Sequence, residues 1–436
     1  MDMTYIKELA DCKCGREHLS DGKIIITGKG ALGRLPEALE GLGTRKAFLL
    51  ADANTYPIAG ERIKALCAEI GILCTEYIFA DKALEPDERA VGSAVMHFDK
   101  SCDTVIALGS GVLNDIGKIV SNVSGAKYVI VGTAPSMDGY ASATSSMSMD
   151  GLKVSLPSKS ADVIIGDTDI LKTAPLHMLR AGLGDMIAKY ISICEWRIAN
   201  IITGEYYCES IASLVRAALK KCVDNADKLL DRDEEAIEAV FEGLVFCGDA
   251  MRLAGVSRPA SGVEHYLSHV WDMRGEEFGT KVDLHGIQCA VGTIIALRIY
   301  EKIKSLTPDR NKALRYASGF DFKEWSDKLR AFLGKGAQVM IAQETADGKY
   351  DPVKHEKRLD VIIENWEKLL KIMNEELPSV EFLENLFIRL DIPQSCKEIG
   401  IDDSILPMTF KASKDIRDKY VLSRLAWDLG VIEEMI

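Results

Sequence analysis

The sequence predicts an α/β N-terminal domain of Rossmann-like type followed by an all-α C-terminal domain. Three observations carry this reading. Between Lys23 and about Gly166, short β-branched runs alternate with helical patterns, as a doubly wound parallel sheet requires. Within that stretch, "ALGSGVLNDIGK" (residues 107 to 118) takes an apolar strand into Gly109-Ser110-Gly111 and then into a helix. Beyond "DVIIGDTDILKTAP" the texture changes to long amphipathic helices that continue to the C-terminus. The domain break is expected near residues 166 to 176, giving a dinucleotide-binding domain over 1–170 and a helical domain over 171–436.

The strands read "KIIITG", "AFLLAD", "EYIFA", "DTVIALG" and "YVIVGT", with helical stretches such as "LGRLPEALEGL" and "VLNDIGKIVSNV" between them. "SSMSMDGLKVSL" (145 to 156) sets Asp150-Gly151 between two short extended runs and predicts a β-hairpin. In the C-terminal half, Leu359, Ile362, Ile363, Trp366, Leu370 and Met373 fall at helical spacing, so a charged-looking segment still buries one stripe as a helix. The region from about Ile303 to Gln394 is rich in charged helices, and the last hundred or so residues carry no assignable motif. No fixed-period repeat or low-complexity tract is visible.

Composition narrows the function classes. At 436 residues, two or three domains are expected. Hydrophobic residues make up 47%, yet no apolar run reaches the roughly 18 residues needed to cross a bilayer. The start "MDMTYIKELADCKCG" has neither the basic opening nor the apolar stretch of an export signal, so a cytoplasmic location is expected. A net charge of -13 with no basic stripe argues against a nucleic-acid partner and leaves a small molecule as the default. The eleven cysteines are scattered and read as thiols rather than a disulfide framework. Among them "CKCGREH" groups Cys12, Cys14 and His18, either a small metal knuckle lacking a visible fourth ligand or an unliganded thiol pair.

Four motifs carry chemistry. The Gly109-Ser110-Gly111 turn lets a ligand approach closely, and the amides at the following helix start favour a pyrophosphate, which suits a dinucleotide. The spacing is not G-x-G-x-x-G, and the glycines also serve a plain strand-to-helix turn. Asp52 ends the "AFLLAD" strand, where an acidic residue either accepts the adenosine ribose hydroxyls, favouring NAD over NADP, or caps a helix. In "GTAPSMDGYAS" (132 to 142), Thr133 and Ser136 can bond a cofactor, Pro135 stiffens the turn, and Asp138 offers a carboxylate to a substrate hydroxyl. Further on, "AGLGDMIAKY" places Asp185 at the head of a helix, "SGVEHYLSHVWDM" sets His265 and His269 four apart beside Glu264, and "DLHGIQCAVG" contains His285. Two imidazoles one turn apart can grip one ion or divide metal and substrate between them. One carboxylate and two imidazoles with an open fourth position form the donor set of a zinc-type divalent site, although sequence distance leaves their convergence open.

Taken in order, "GSGVLND", "TAPSMDGYAS", "AGLGDMIAKYISICEWRIA", "SGVEHYLSHVWD" and "LHGIQCAVGTI" resemble the sn-glycerol-1-phosphate dehydrogenases, particularly the bacterial branch associated with arabinose operons. These belong to the iron-containing alcohol dehydrogenase and dehydroquinate synthase-like superfamily. The resemblance spans most of residues 12 to 300. It implies NAD(H) or NADP(H) held by Asp52, by Gly111, Val112, Leu113, Asn114 and Asp115, by Thr133, Ala134, Pro135 and Ser136, and by Ser142. It also implies one divalent metal ion, zinc or nickel, on Asp185, His265 and His285, with Asp138, Asp185 and His269 at the substrate. The implied reaction interconverts sn-glycerol 1-phosphate and dihydroxyacetone phosphate in phospholipid synthesis, by a homodimer or larger homo-oligomer. Alternatives are a glycerol or other polyol dehydrogenase, a dehydroquinate synthase-like lyase, and a binding module that keeps the fold without the chemistry.

Overall fold

The computed structural model describes residue 9 and residues 12–18, 22–149 and 152–436. Among these, two compact units form. One comprises Met1–Met186 with Ser213–Val256, the other Ile187–Ala212 with Ser257–Ile436. The division therefore falls later than residues 166 to 176, and the chain crosses it more than once.

In the first unit, β1 (Ile24–Gly28), β2 (Lys46–Asp52), β3 (Leu73–Phe79), β4 (Thr104–Gly109), β5 (Lys127–Gly132) and β8 (Val163–Asp167) form one parallel sheet in the order β1-β8-β5-β4-β2-β3. The five strand runs of the sequence are all present, and the sixth strand, Val163–Asp167, sits between β1 and β5. Central strands β4, β5 and β8 are buried almost throughout, as helices on both faces of a parallel sheet demand, whereas edge strands β1 and β3 stay partly open. Helices α1 (Leu35–Leu42), α2 (Tyr56–Glu69), α3 (Glu88–His97) and α4 (Gly111–Ser124) make the crossovers.

The strand order locates a crevice. From β2 the chain passes through α2 to β3 on one side, and from β4 it passes through α4 to β5 on the other. The topological switch point therefore lies between the carboxyl ends of β2 and β4, where ligands of such sheets bind. Asp52 ends one strand and Gly109 the other. The hairpin is also present: β6 (Thr144–Met149) and β7 (Leu152–Pro157) pair antiparallel with Met149 opposite Leu152, while the Asp150-Gly151 turn lies outside the described residues.

Besides the short helix Thr168–Leu171, this unit includes most of α5 (Leu176–Ile187), and, beyond α6 (Lys189–Thr203), most of α7 (Glu209–Asp224) and all of α8 (Glu234–Ala254). Asp185 stands in the last turn of α5, not at the head of a helix. The reason is that Gly182 is a helical residue, admitted for packing rather than for a turn: a Cβ there would lie 1.7 Å from the Pro135 carbonyl oxygen. On α8, a Cβ at Gly248 would lie 2.6 Å from the Asp138 carbonyl oxygen. The "TAPSMDGYAS" loop is thus clasped between two helices at glycine positions.

The second unit is helical. Its core elements are α6, α9 (Val263–Phe278) and α10 (His285–Lys304). The stripe expected to form one helix from Leu359 to Met373 is two, Pro352–Glu364 and Trp366–Glu376, which meet at Asn365. The break shifts the phase, so Leu369 and Ile372 are buried with Leu359, Ile362, Trp366 and Met373, while Ile363 and Leu370 are only half-buried. No helix among the described residues is long and apolar enough to cross a membrane.

Gly182→Ala is expected to lower the apparent melting temperature, by a loss of about 1–3 kcal/mol typical of overpacking. Gly33→Ala, where nothing lies within 4 Å of the added Cβ, should melt close to wild type. Thermal denaturation of the pair followed by circular dichroism checks this.

Candidate active site

The phosphate-type cradle assembles from the ends of β4 and β5. Thr133 N donates to the Gly109 carbonyl at 3.0 Å, and the Ser110 and Ser136 hydroxyls share a hydrogen bond of 2.5 Å. Tyr140 is fully buried against Phe241, with ring centroids 5.1 Å apart, and its hydroxyl donates to the Ala134 carbonyl at 2.6 Å. Gly111 and Val112 are half-buried, but the side chains of Leu113 and Asn114 turn into the fold. Asn114 Nδ2 donates to the Gly139 carbonyl at 3.0 Å, and its Oδ1 accepts from the Tyr128 hydroxyl at 3.1 Å. What this helix start offers a ligand is therefore backbone rather than the Leu113 or Asn114 side chain.

Sequence reasoning missed Lys118. One turn beyond Asn114, its ammonium is fully buried and donates to the Gly139 carbonyl at 2.6 Å, to Ser142 Oγ at 3.0 Å and to the Thr144 carbonyl at 3.0 Å. Asp115 Oδ1 lies 3.6 Å away, and burial holds the lysine below its usual pKa. The signal was present: Asn114 and Lys118 stand four apart on the otherwise apolar buried face of an amphipathic helix. Ser142, expected at the cofactor, also donates to the Gly139 and Thr144 carbonyls, so it belongs to the same polar knot.

Of the two roles expected of Asp52, the capping one is visible. Its Oδ1 accepts from Asn54 N and Thr55 N, each at 2.8 Å, which caps the turn into α2. Both bonds fall on one oxygen of a carboxylate at the switch point. Asp138 is half-buried, and its amide donates to Asp185 Oδ2 at 2.9 Å. Asp185 itself is fully buried.

In the second unit, α9 and α10 approach closely because residue 292 is glycine: a Cβ there would lie 2.8 Å from the Glu264 carbonyl oxygen. This brings His265 and His285 together with ring centroids 5.0 Å apart, and donor atoms of His265, His285 and Cys289 lie within 4.8 Å of one another. Cys289 was missed; its place one turn after His285 in "HGIQC" was the available signal. His265 Nδ1 donates to Glu264 Oε1 at 2.8 Å, which leaves Nε2 as the lone-pair nitrogen. His285 Nδ1 bonds Ser268 Oγ at 3.1 Å. Carboxylate and hydroxyl partners on the outer ring nitrogen are how proteins orient metal-binding histidines, and two nitrogens beside a sulfur fit a divalent transition-metal ion. His269 does not share this cluster. Its ring stacks on His285 at 6.0 Å, and burial, then Arg417 and the neighbouring imidazoles, hold it well below the usual histidine pKa.

Glu195, inside the quoted "SICEWRIA", was also overlooked. It is almost wholly buried, and its two oxygens accept from Leu422 N at 2.9 Å and Val263 N at 3.0 Å. Burial, with the nearby Glu264, pushes its carboxyl pKa up to about 8.

A parallel sheet with a switch-point crevice and a helical unit bearing paired imidazoles define a nucleotide-dependent dehydrogenase of the iron-containing alcohol dehydrogenase class. The sequence pattern of the iron-containing alcohol dehydrogenases matches residues 26–175. Among solved structures, the fold is similar to a glycerol dehydrogenase from Schizosaccharomyces pombe, with a TM-score of 0.60 at 15% identity over 95% of this chain and 89% of that one. A 1,3-propanediol oxidoreductase also gives a TM-score of 0.60, at 14% identity over 94% and 97%. A glycerol-1-phosphate dehydrogenase (NAD(P)+) from Halalkalibacterium halodurans is 32% identical over 67% of this chain and 74% of its own length. The counterpart from Thermococcus kodakarensis is 34% identical over 62% and 76%. The chain belongs to the glycerol-1-phosphate dehydrogenase family, and it is an oxidoreductase.

Glu264→Gln keeps the shape but removes the carboxylate from His265. It is expected to weaken metal affinity by about 10–100-fold, the usual cost of losing such a partner. Competition against a chelator of known affinity measures this.

Proposed function

We propose that the chain catalyses the reversible, NAD(P)-dependent interconversion of sn-glycerol 1-phosphate and dihydroxyacetone phosphate. The observation that carries the reading is the oriented imidazole pair His265 and His285, with Glu264 setting the tautomer of the first, in a chain 32% identical to an enzyme named for this substrate. Asp185, His265 and His285 are the residues that would hold the divalent ion, zinc or nickel, with Cys289 as a further donor beside the two imidazoles. When bound, the ion supplies Lewis acidity to the C2 oxygen of the substrate.

The remaining roles belong to the chain itself. Gly111 to Asp115, Thr133 to Ser136 and Ser142 frame the nicotinamide dinucleotide, chiefly through backbone groups fixed by the Ser110–Ser136 and Lys118–Gly139 bonds. Asp52 accepts the adenosine ribose hydroxyls on the oxygen not engaged in its turn, which favours NAD over NADP. Asp138 positions a substrate hydroxyl. His269 hydrogen-bonds a substrate hydroxyl, and burial, which holds its pKa well below the ordinary value, keeps it a neutral partner there. When bound, the nicotinamide would accept the hydride, so alcohol oxidation would release one proton and one reduced cofactor. Phospholipid synthesis is the role proposed, the cytoplasm the location, and a homodimer or larger homo-oligomer the assembly.

With NADH in matched assays, dihydroxyacetone phosphate is expected to be reduced and unphosphorylated dihydroxyacetone to be reduced poorly or not at all. Reversed preference would make the enzyme a polyol dehydrogenase, and turnover without net NADH consumption would make it a lyase of the dehydroquinate synthase type. Chiral analysis of the product should find sn-glycerol 1-phosphate; the 3-phosphate enantiomer would overturn the assignment. Separately, Asp185→Asn and His265→Ala should each lose bound metal and turnover together, read by metal analysis and NADH oxidation; intact activity in both would leave only a binding module.

A further inference from the structure

The segment Cys12-Lys13-Cys14-Gly15-Arg16-Glu17-His18 forms no helix or strand, yet it is built with care. Donor atoms of Cys12, Cys14 and His18 all lie within 4.8 Å of one another. Gly15 has φ +84°, a left-handed conformation that turns the chain between the cysteines and the histidine at little cost only for glycine. His18 is nearly buried, and its Nδ1 lies 3.0 Å from the Leu253 carbonyl oxygen. A carbonyl only accepts, so Nδ1 carries the proton and Nε2 carries the lone pair. That lone pair faces Cys14 Sγ at 3.1 Å. Arg16 donates to the neighbouring Ala254 carbonyl at 2.5 Å. Both anchors are carbonyls of the last turn of α8, which have no partner within the helix.

We infer that Cys12, Cys14 and His18 bind a structural zinc-type ion, separate from the centre at His265 and His285. Two thiolates and one imidazole whose outer nitrogen is fixed by a carbonyl make a soft donor set with its orienting partner in place. Both cysteines are only half-buried, so an ion has a path in from solvent. On binding, the two thiols release their protons to solvent and three coordinate bonds form, leaving one tetrahedral position for another donor or water. The ion would pin residues 12–18 against the end of α8.

Zinc content of the full-length protein, stripped with chelator and reloaded with zinc alone, tests this. About two ions per chain are expected in wild type and about one in Cys14→Ser, in His18→Ala and in His265→Ala. Cys14→Ser should retain turnover, and the Cys14→Ser/His265→Ala double variant should bind none. Equal zinc in wild type, Cys14→Ser and His18→Ala would overturn the inference, while a fault confined to His265→Ala would bear on the active centre instead. A measurement independent of variant folding is alkylation of wild type followed by peptide mass spectrometry. Cys12 and Cys14 should be protected with zinc and reactive after chelation; equal reactivity, or a Cys12–Cys14 disulfide in protein purified under reductant, would sink the proposal.

Discussion

One carbonyl organises the nucleotide-binding half. The Gly139 oxygen accepts from Lys118 Nζ, Asn114 Nδ2 and Ser142 Oγ, and two of those donors come from the first turns of α4. An ammonium with no access to solvent is tolerable only where acceptors surround it. Lys118 has two carbonyls, a hydroxyl and the nearby Asp115. The same helix therefore ends the glycine turn after β4 and fixes the loop after β5. The two segments that frame the crevice are held as one piece, so a ligand meets backbone groups already in position rather than two loops that must be ordered on binding. Close packing at Gly182 and Gly248 then closes the back of the loop, which presents Asp138 with its amide tied to Asp185.

The helical unit relies on a comparable economy of approach. Glycine at 292 lets α10 lie against the backbone of α9 at Glu264, and the consequence two turns away is the meeting of His285 with His265. Ser268, one turn along α9, bonds His285, so each imidazole is oriented by a partner on α9. Loss of either partner would free a ring to rotate without disturbing the helix that carries it.

Much of this was legible in the sequence because it obeys short-range rules. Strands with both faces covered read as continuous β-branched runs, and the turn after β4 announced itself by its glycines. Val163–Asp167 was harder, because a short apolar run before a helical signal does not say that the strand inserts between β1 and β5; that is a long-range pairing. Asp185 was misplaced at a helix head because Gly182 was read as a turn, whereas its role is contact with a carbonyl far away in sequence. The stripe from Leu359 to Met373 kept helical spacing across a break at Asn365, which periodicity alone does not detect. Of the candidate site, His265 and His285 converge as donors, while His269 stacks on His285 without joining that donor group. Lys118, Glu195 and Cys289 escaped notice for a common reason: each is a polar residue in a helix whose burial is set by tertiary partners, and a helix pattern does not say which polar position has acceptors waiting.

Glu195 shows what such burial accomplishes. Its carboxyl, reaching over from α6, and that of Glu264 meet the start of α9, where the amides of Val263 and Gly262 donate to them. Two full negative charges in one dry site would repel strongly, and the raised pKa of Glu195, near 8, removes one of them at neutral pH. A glutamate that stays protonated avoids that repulsion while its oxygens still satisfy the amides of Val263 and Leu422. Glu195 thus bonds the amide at the start of α9 without placing a second full charge beside the Glu264 that orients His265.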